Sequence, residues 1–181
     1  RPDFERGRWI ADVDDLAGLV TDRTRLIALC HPNNPTGARL SAEQLDRVCA
    51  LADARGAWVL SDEIYAGSEL DGSATPTVRG RGERTIVTSS LSKTWGLPGL
   101  RLGWIVATRE ATADFWAHHD YTSIGPGAAS DFVATRALRP ERRARLLERT
   151  RGLLRANYAL VAEWLARHGN ALRHVPPEAG A

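Results

Sequence analysis

Residues 25–61 carry the pattern that restricts the fold most. A compact apolar run at 25–30 is followed by a loop, a helix-like stretch opened by Ser41 and closed at Gly56, and a second apolar run at 57–61. Strand, helix and strand in so short a span imply a parallel sheet covered by helices. The runs are continuous rather than alternating, which predicts strands covered on both faces. Within the helix-like stretch, Ser41 and Gln44 have capping-box spacing, and Leu45, Val48, Cys49, Ala52 and Leu51 supply one apolar face. Gly56 stops the helix.

Two more strands are predicted, over 84–89 and at Ile105 and Val106, which follow Leu102-Gly103-Trp104. Short helices are expected over 12–20 and 127–138. A long one is expected from about 141 to 168, where Leu146, Leu147, Thr150, Leu153, Leu154, Tyr158, Val161, Trp164 and Leu165 recur at helical spacing with arginines opposite. Such a helix runs about 40 Å, enough to lead from a large domain into a second one. The 181 residues include no methionine, and the chain stops in a proline turn after a strand-like start at 171–175. It reads as an internal piece of a longer protein.

A net charge of +2 gives no reason to expect a nucleic-acid partner. The dense arginine run from 139 to 155 reads as one helix face. No apolar stretch approaches a membrane span, so no membrane partner is expected and the cytoplasm is the default location. Cys30 and Cys49 lack paired spacing and sit in apolar stretches, as buried free thiols do; no metal site is expected.

Three loops following strand ends hold polar residues that no core requires, and in parallel sheets ligands gather outside the carboxyl ends of the strands. The first, His31-Pro32-Asn33-Asn34-Pro35-Thr36-Gly37, cages two asparagines between prolines, so an amide can be offered at a set point. The second, Ser61-Asp62-Glu63-Ile64-Tyr65, puts a carboxylate directly after an apolar strand, where partial desolvation calls for a donor or a cation. The third holds Ser90, Ser92, Lys93 and Arg101. Of the 24 basic residues in the chain, Lys93 alone is lysine. Arginine serves wherever a solvated positive charge is needed, but a guanidinium stays protonated and cannot attack a carbonyl; an ammonium can be tuned to do so. The Ser and Gly residues around Lys93 let backbone and hydroxyls approach an anion, and Arg101 offers a planar fork suited to phosphate. An amine for a Schiff base, a carboxylate for a pyridinium, an amide and a phenol for a phenolic oxygen, and hydroxyls with an arginine for a phosphate together describe a site for pyridoxal phosphate.

The three blocks Asn33-Asn34-Pro35-Thr36-Gly37, Asp62-Glu63-Ile64-Tyr65 and Ser90-Leu91-Ser92-Lys93 through Arg101-Leu102-Gly103, in this order, resemble the class I/II aminotransferases, the fold-type I pyridoxal-phosphate enzymes. The resemblance runs along essentially the whole chain but covers only about half of such an enzyme. It implies an α/β three-layer sandwich with a mostly parallel sheet, residues 1–138 being part of the cofactor-binding large domain and 139–181 the connecting helix and the start of the small domain. It implies an aldimine of pyridoxal 5'-phosphate at Lys93, which also shuttles the proton. Asp62 would pair with the pyridinium, Asn34 and Tyr65 would bind the phenolic oxygen, and Ser90 and Arg101 would hold the phosphate, with Ser92 a weaker candidate. The implied reaction moves an amino group between an amino acid and a 2-oxo acid, in a homodimer. Elimination, cyclisation or oxidation on the same scaffold, or an effector-sensing domain of a transcription regulator, are the alternatives. Related enzymes carry the glycine-rich phosphate loop, the ring-stacking aromatic and a neighbouring subunit's tyrosine upstream of this span, and the substrate-carboxylate arginine downstream.

Other polar residues carry no assigned chemistry. His118 and His119 are adjacent and cannot face one site from a helix; His31, before the asparagine loop, could lie near the site, with a structural role the equal alternative; Trp95 could shape the pocket. The segment 121–127 resembles the family stretch near the dimer boundary.

Overall fold

The computed structural model describes residues 1–180. A two-stranded antiparallel ribbon, β1 (Pro2–Asp3) and β2 (Arg8–Trp9), precedes a short helix α1 (Val13–Leu19). Asp12 caps α1 by accepting a hydrogen bond from the Asp15 amide. A four-stranded sheet follows in the order β3 (Leu26–Cys30), β4 (Trp58–Asp62), β5 (Thr85–Ser90), β6 (Gly103–Val106). The first three strands are parallel and β6 runs antiparallel to β5. The crossover helix α2 (Ala42–Asp53) starts at the expected capping box: the Gln44 amide donates to Ser41 Oγ, and Ser41 N–H donates to Gln44 Oε1. Gly56 ends the turn with φ 63°, left-handed backbone that glycine adopts at little cost.

β4 starts and ends one residue later than its apolar run, β5 does the same, β3 only starts one later, and β6 starts earlier, at Gly103. Backbone pairing, not hydrophobicity, sets the ends: the parallel register continues through Cys30, Asp62 and Thr88, and Ser90 pairs with Gly103. Asp62 and Ser90 are therefore the last residues of strands rather than the first residues of loops. The ladder fixes their backbones.

The core lies on one face of the sheet. Ile27, Val59 and Val87 pack against Val13 of α1 and Leu45, Val48, Cys49 and Ala52 of α2. Each such side chain, fully buried, is worth about 1.5–3 kcal/mol. On the other face Leu60 and Ile86 are half-buried, and Leu26 and Ile105 stand about half exposed. Continuous apolar runs reported the hydrophobicity of both faces, but only one is packed by the described residues.

Three helices complete the chain: α3 (Arg109–His119), α4 (Ala128–Ala137) and α5 (Pro140–Arg167). No apolar period announces α3, and its only buried residue is Ala111; Thr108 caps it. His118 and His119 lie in its last turn, one exposed and the other half-buried. The long helix α5 spans 28 residues, close to the expected range, yet none of them is buried. Leu146 and Leu147 pack on a second cluster formed by Leu91, Trp95 and Ala134, while Leu153, Val161 and Trp164 are exposed. Both cysteines are free thiols, Cys49 fully buried and Cys30 half-buried.

Candidate active site

Three loops leave the carboxyl ends of β3, β4 and β5 side by side. The first is built on His31, which is 1% exposed. Its Nδ1 accepts from the Leu40 amide and its Nε2 faces the Pro76 carbonyl oxygen, so the ring is neutral with its proton on Nε2. Burial, with Arg39 nearby, lowers its pKa to about 4. The two asparagines divide the work. Asn33 serves the loop itself, its amide donating to Ala38 O and its Oδ1 accepting from Thr36 Oγ1 at 2.7 Å. Asn34 reaches outward, and its Nδ2 donates to the Tyr65 hydroxyl at 3.1 Å.

Asp62 ends β4 half-buried. Its Oδ1 accepts from Ile64 N at 3.2 Å and from Thr88 Oγ1 at 3.4 Å, and Oδ2 has no hydrogen-bond partner among the described residues. Glu63, its neighbour, turns to the other side and accepts from Thr77 Oγ1 and Val78 N; burial pushes its carboxyl pKa up. Tyr65 is 8% exposed. Because its oxygen accepts from Asn34, its own proton is left to donate.

The third loop is anchored by buried Leu91 and Trp95. Thr94 Oγ1 donates to Ile64 O at 3.1 Å and ties this loop to the Asp62 segment. Ser90 Oγ accepts from Ser92 N at 3.1 Å. Arg101 Nη1 is 3.5 Å from Ser92 Oγ and donates to Pro98 O at 3.0 Å. Arg101 is held with φ 50°, a left-handed conformation that costs a non-glycine residue about 1–2 kcal/mol. Such strain persists where surrounding structure over-determines it, which is common at functional sites. Lys93 itself is exposed.

A cavity of about 310 Å³ is lined by Tyr65, Ser68, Ser92, Lys93, Thr94, Thr150, Leu154 and Gly180. Of the residues singled out in the sequence, Lys93, Tyr65 and Ser92 face it together. Asn34 is joined to them through Tyr65, and Ser90 and Arg101 through Ser92. Asp62 is not on the lining; it connects through Thr88 on the next strand. Larger clefts elsewhere, one of about 620 Å³ between α4 and α5, gather none of these residues.

Sequence reasoning did not assign Ser68, Thr94, Thr150, Leu154 or Gly180 to the site. Thr150 and Leu154 were legible as one helix face, but spacing says nothing about what that face meets. Among the described residues no group of three or more His, Cys, Asp or Glu side chains could hold a metal ion, and no helix is long and apolar enough to cross a membrane.

The family described as aminotransferase class I and II matches residues 4–181. The chain is 32% identical over 153 residues to aromatic-amino-acid aminotransferase 2 of Thermococcus litoralis, covering 83% of this chain and 39% of the relative. It is 30% identical over 138 residues to an aspartate aminotransferase of Pyrococcus horikoshii, covering 76% and 35%. Among solved structures, a PLP-dependent aminotransferase from Streptococcus suis superposes with a TM-score of 0.83 at 34% identity, over 97% of this chain and 46% of that one. N-succinyldiaminopimelate aminotransferase from Mycobacterium tuberculosis gives a TM-score of 0.82 at 32% identity, over 92% and 43%. The chain thus spans less than two fifths of these two relatives and less than half of these two solved chains.

Proposed function

The chain belongs to the class I and II aminotransferase family, and on that premise we propose that it moves an amino group between an amino acid and a 2-oxo acid, with pyridoxal 5'-phosphate held at Lys93. The observation that carries this reading is the shared cavity: the only lysine of the chain faces it beside Tyr65 and Ser92, and hydrogen bonds connect these two to Asn34, Ser90 and Arg101.

The residues present fit the cofactor on chemical grounds. Asp62 keeps one carboxylate oxygen free of protein partners at the end of a strand, as an acceptor for a ring N–H requires. Tyr65, its oxygen already bonded by Asn34, has a proton to give to a phenolic oxygen. Ser90, Ser92 and Arg101 lie within hydrogen-bond reach in series, two hydroxyls and a guanidinium suited to a phosphate.

When bound, pyridoxal phosphate supplies an aldehyde that takes up the amino nitrogen and a ring that accepts the electron pair released at the α-carbon. Lys93 Nζ would take the proton from that carbon and pass it to the carbon of the cofactor's former aldehyde, as amino transfer requires; a positioned amine contributes about 10²–10⁴-fold in such a transfer. Asp62 would accept a hydrogen bond from the protonated ring nitrogen. Asn34 fixes the Tyr65 hydroxyl in one orientation, and Thr150 and Leu154 exclude water on the side of α5. Residues 1–138 belong in this reading to the cofactor-binding domain, and 139–181 lead into the smaller one; Ala181 lies outside the described residues. The assembly is a homodimer in the cytoplasm. The relatives named above are aminotransferases, which favours transfer over elimination, cyclisation, oxidation or effector sensing.

The test is borohydride reduction of the full-length protein with pyridoxal phosphate, followed by peptide mass spectrometry. The label is expected on Lys93. A label elsewhere, or none while cofactor is bound, overturns the assignment. Amino transfer to a 2-oxo acid is expected alongside, and ammonia release without an acceptor would refute transfer.

A further inference from the structure

One ion pair outside the candidate site, a buried carboxylate met by a partly exposed arginine, ties it together. Glu69 is 1% exposed and Arg151, on α5, meets it at 2.9 Å. Arg151 Nε also donates to Gly67 O at 2.9 Å, so its planar fork spans two acceptors on one turn. The other Glu69 oxygen accepts from Gly67 N, Thr75 N and Thr75 Oγ1. Burial pushes the Glu69 carboxyl up, but the bonds from Thr75, Gly67 and Arg151 outweigh it and hold it below its ordinary value. Charges taken out of water at this cost are held in one geometry only when nearly every donor is satisfied.

Arg151 is the only α5 side chain among the described residues that hydrogen-bonds the loops of the sheet. Its neighbours Thr150 and Leu154 face the Lys93 cavity. On the opposite wall, Ser68 sits between Gly67 and Glu69 and donates to Tyr65 O at 2.6 Å and Gly180 O at 2.8 Å. Gly67 has φ 100°, and a Cβ there would lie 2.8 Å from Leu147 of α5 and 2.9 Å from Thr94 beside Lys93. The helix, the lysine loop and the tyrosine turn therefore meet at Gly67.

We propose that Arg151 is a positioning residue for the amine chemistry at Lys93: pinned to Gly67 and Glu69, it sets the register of α5, and with it the Thr150 and Leu154 wall facing that amine. The proposal rests on the function proposed above. Because a displacement of about 1 Å at a reacting group can cost 10²-fold, loosening this pin reaches the chemistry without touching substrate or cofactor.

The experiment compares Arg151→Met, Arg151→Lys, Glu69→Gln and Arg155→Met in the full-length protein reconstituted with pyridoxal phosphate. Borohydride labelling at Lys93 is expected in all four. Arg151→Met is expected to lower kcat about 10–100-fold with KM within about threefold, and to shift the pH titration of the cofactor's visible absorbance. Arg151→Lys, which cannot span both acceptors, is expected to fall between it and the wild type. Arg155 pairs only with Glu148 on its own helix, so Arg155→Met is expected to match the wild type. Wild-type kcat and absorbance titration in folded Arg151→Met overturns the proposal. If that variant does not fold, Glu69→Gln decides by the same two readouts, since it keeps the Glu69 side-chain shape. A wild type with no label at Lys93 refutes the functional reading itself, a different result from a labelled wild type whose variants are indistinguishable from it.

Discussion

Replacing His31 by glutamine tests how the base of the asparagine loop is held. The imidazole is buried and neutral, accepting from Leu40 N and donating to Pro76 O, with a pKa lowered to about 4 from 6.5 by burial and by Arg39. In the unfolded chain it takes a proton as pH falls below about 6.5, while the folded form refuses one until about 4. The unfolded state then binds more protons, so stability is fully present above the unfolded value and falls as pH drops through this window. Summed over the window the loss is about 3 kcal/mol, of which about 2 kcal/mol appears between pH 7 and pH 5.

Other groups act elsewhere or in the opposite sense. Asp71, held down to about 2 by the Ser73 hydroxyl and amide, contributes stability that is lost only at lower pH. Glu63, pushed up by burial, favours the folded state at low pH and loses that contribution as pH rises through its folded value. The difference between wild type and His31→Gln removes these shared contributions. Glutamine does not titrate, and leaving the Leu40 amide without its acceptor costs about 1–3 kcal/mol at neutral pH. Urea unfolding followed by tryptophan fluorescence at several pH values is expected to show that cost shrinking by about 2 kcal/mol from pH 7 to pH 5. Parallel curves for the two proteins would refute the neutral, buried histidine.

Two further substitutions probe the frame around the site. Gly67→Ala forces a side chain into positive φ and against Leu147 and Thr94, so a loss of about 2–4 kcal/mol is expected, measured by denaturant midpoint; an unchanged midpoint would deny the close approach of α5. Ser41→Ala removes the hydroxyl that accepts from Gln44 N, and a loss of about 1 kcal/mol is expected by the same measurement, with the Ser41→Asp protein retaining most of the stability.

The local elements of this protein were legible in its residues. Continuous apolar runs around a capped helix could only pair as parallel strands, and Ser41 with Gln44 marked where α2 begins. The three polar loops after those strands held the candidates, since a lone lysine among arginines, or an amide between prolines, has a chemical reason at its position; the family resemblance picked out Asn34, Asp62, Tyr65, Ser90, Lys93 and Arg101 among them. Side-chain spacing reports which face is apolar but not what it meets, and here the tertiary structure decided. It placed α3 where no periodicity marks it, and gave Asn33 to its own loop while Asn34 reaches Tyr65. It also closed the Arg151–Glu69 pair across 82 positions of sequence. Such a contact depends on how separate elements dock, and neither residue carries a local signal of it, since a buried charge is stable only once its distant donors have arrived.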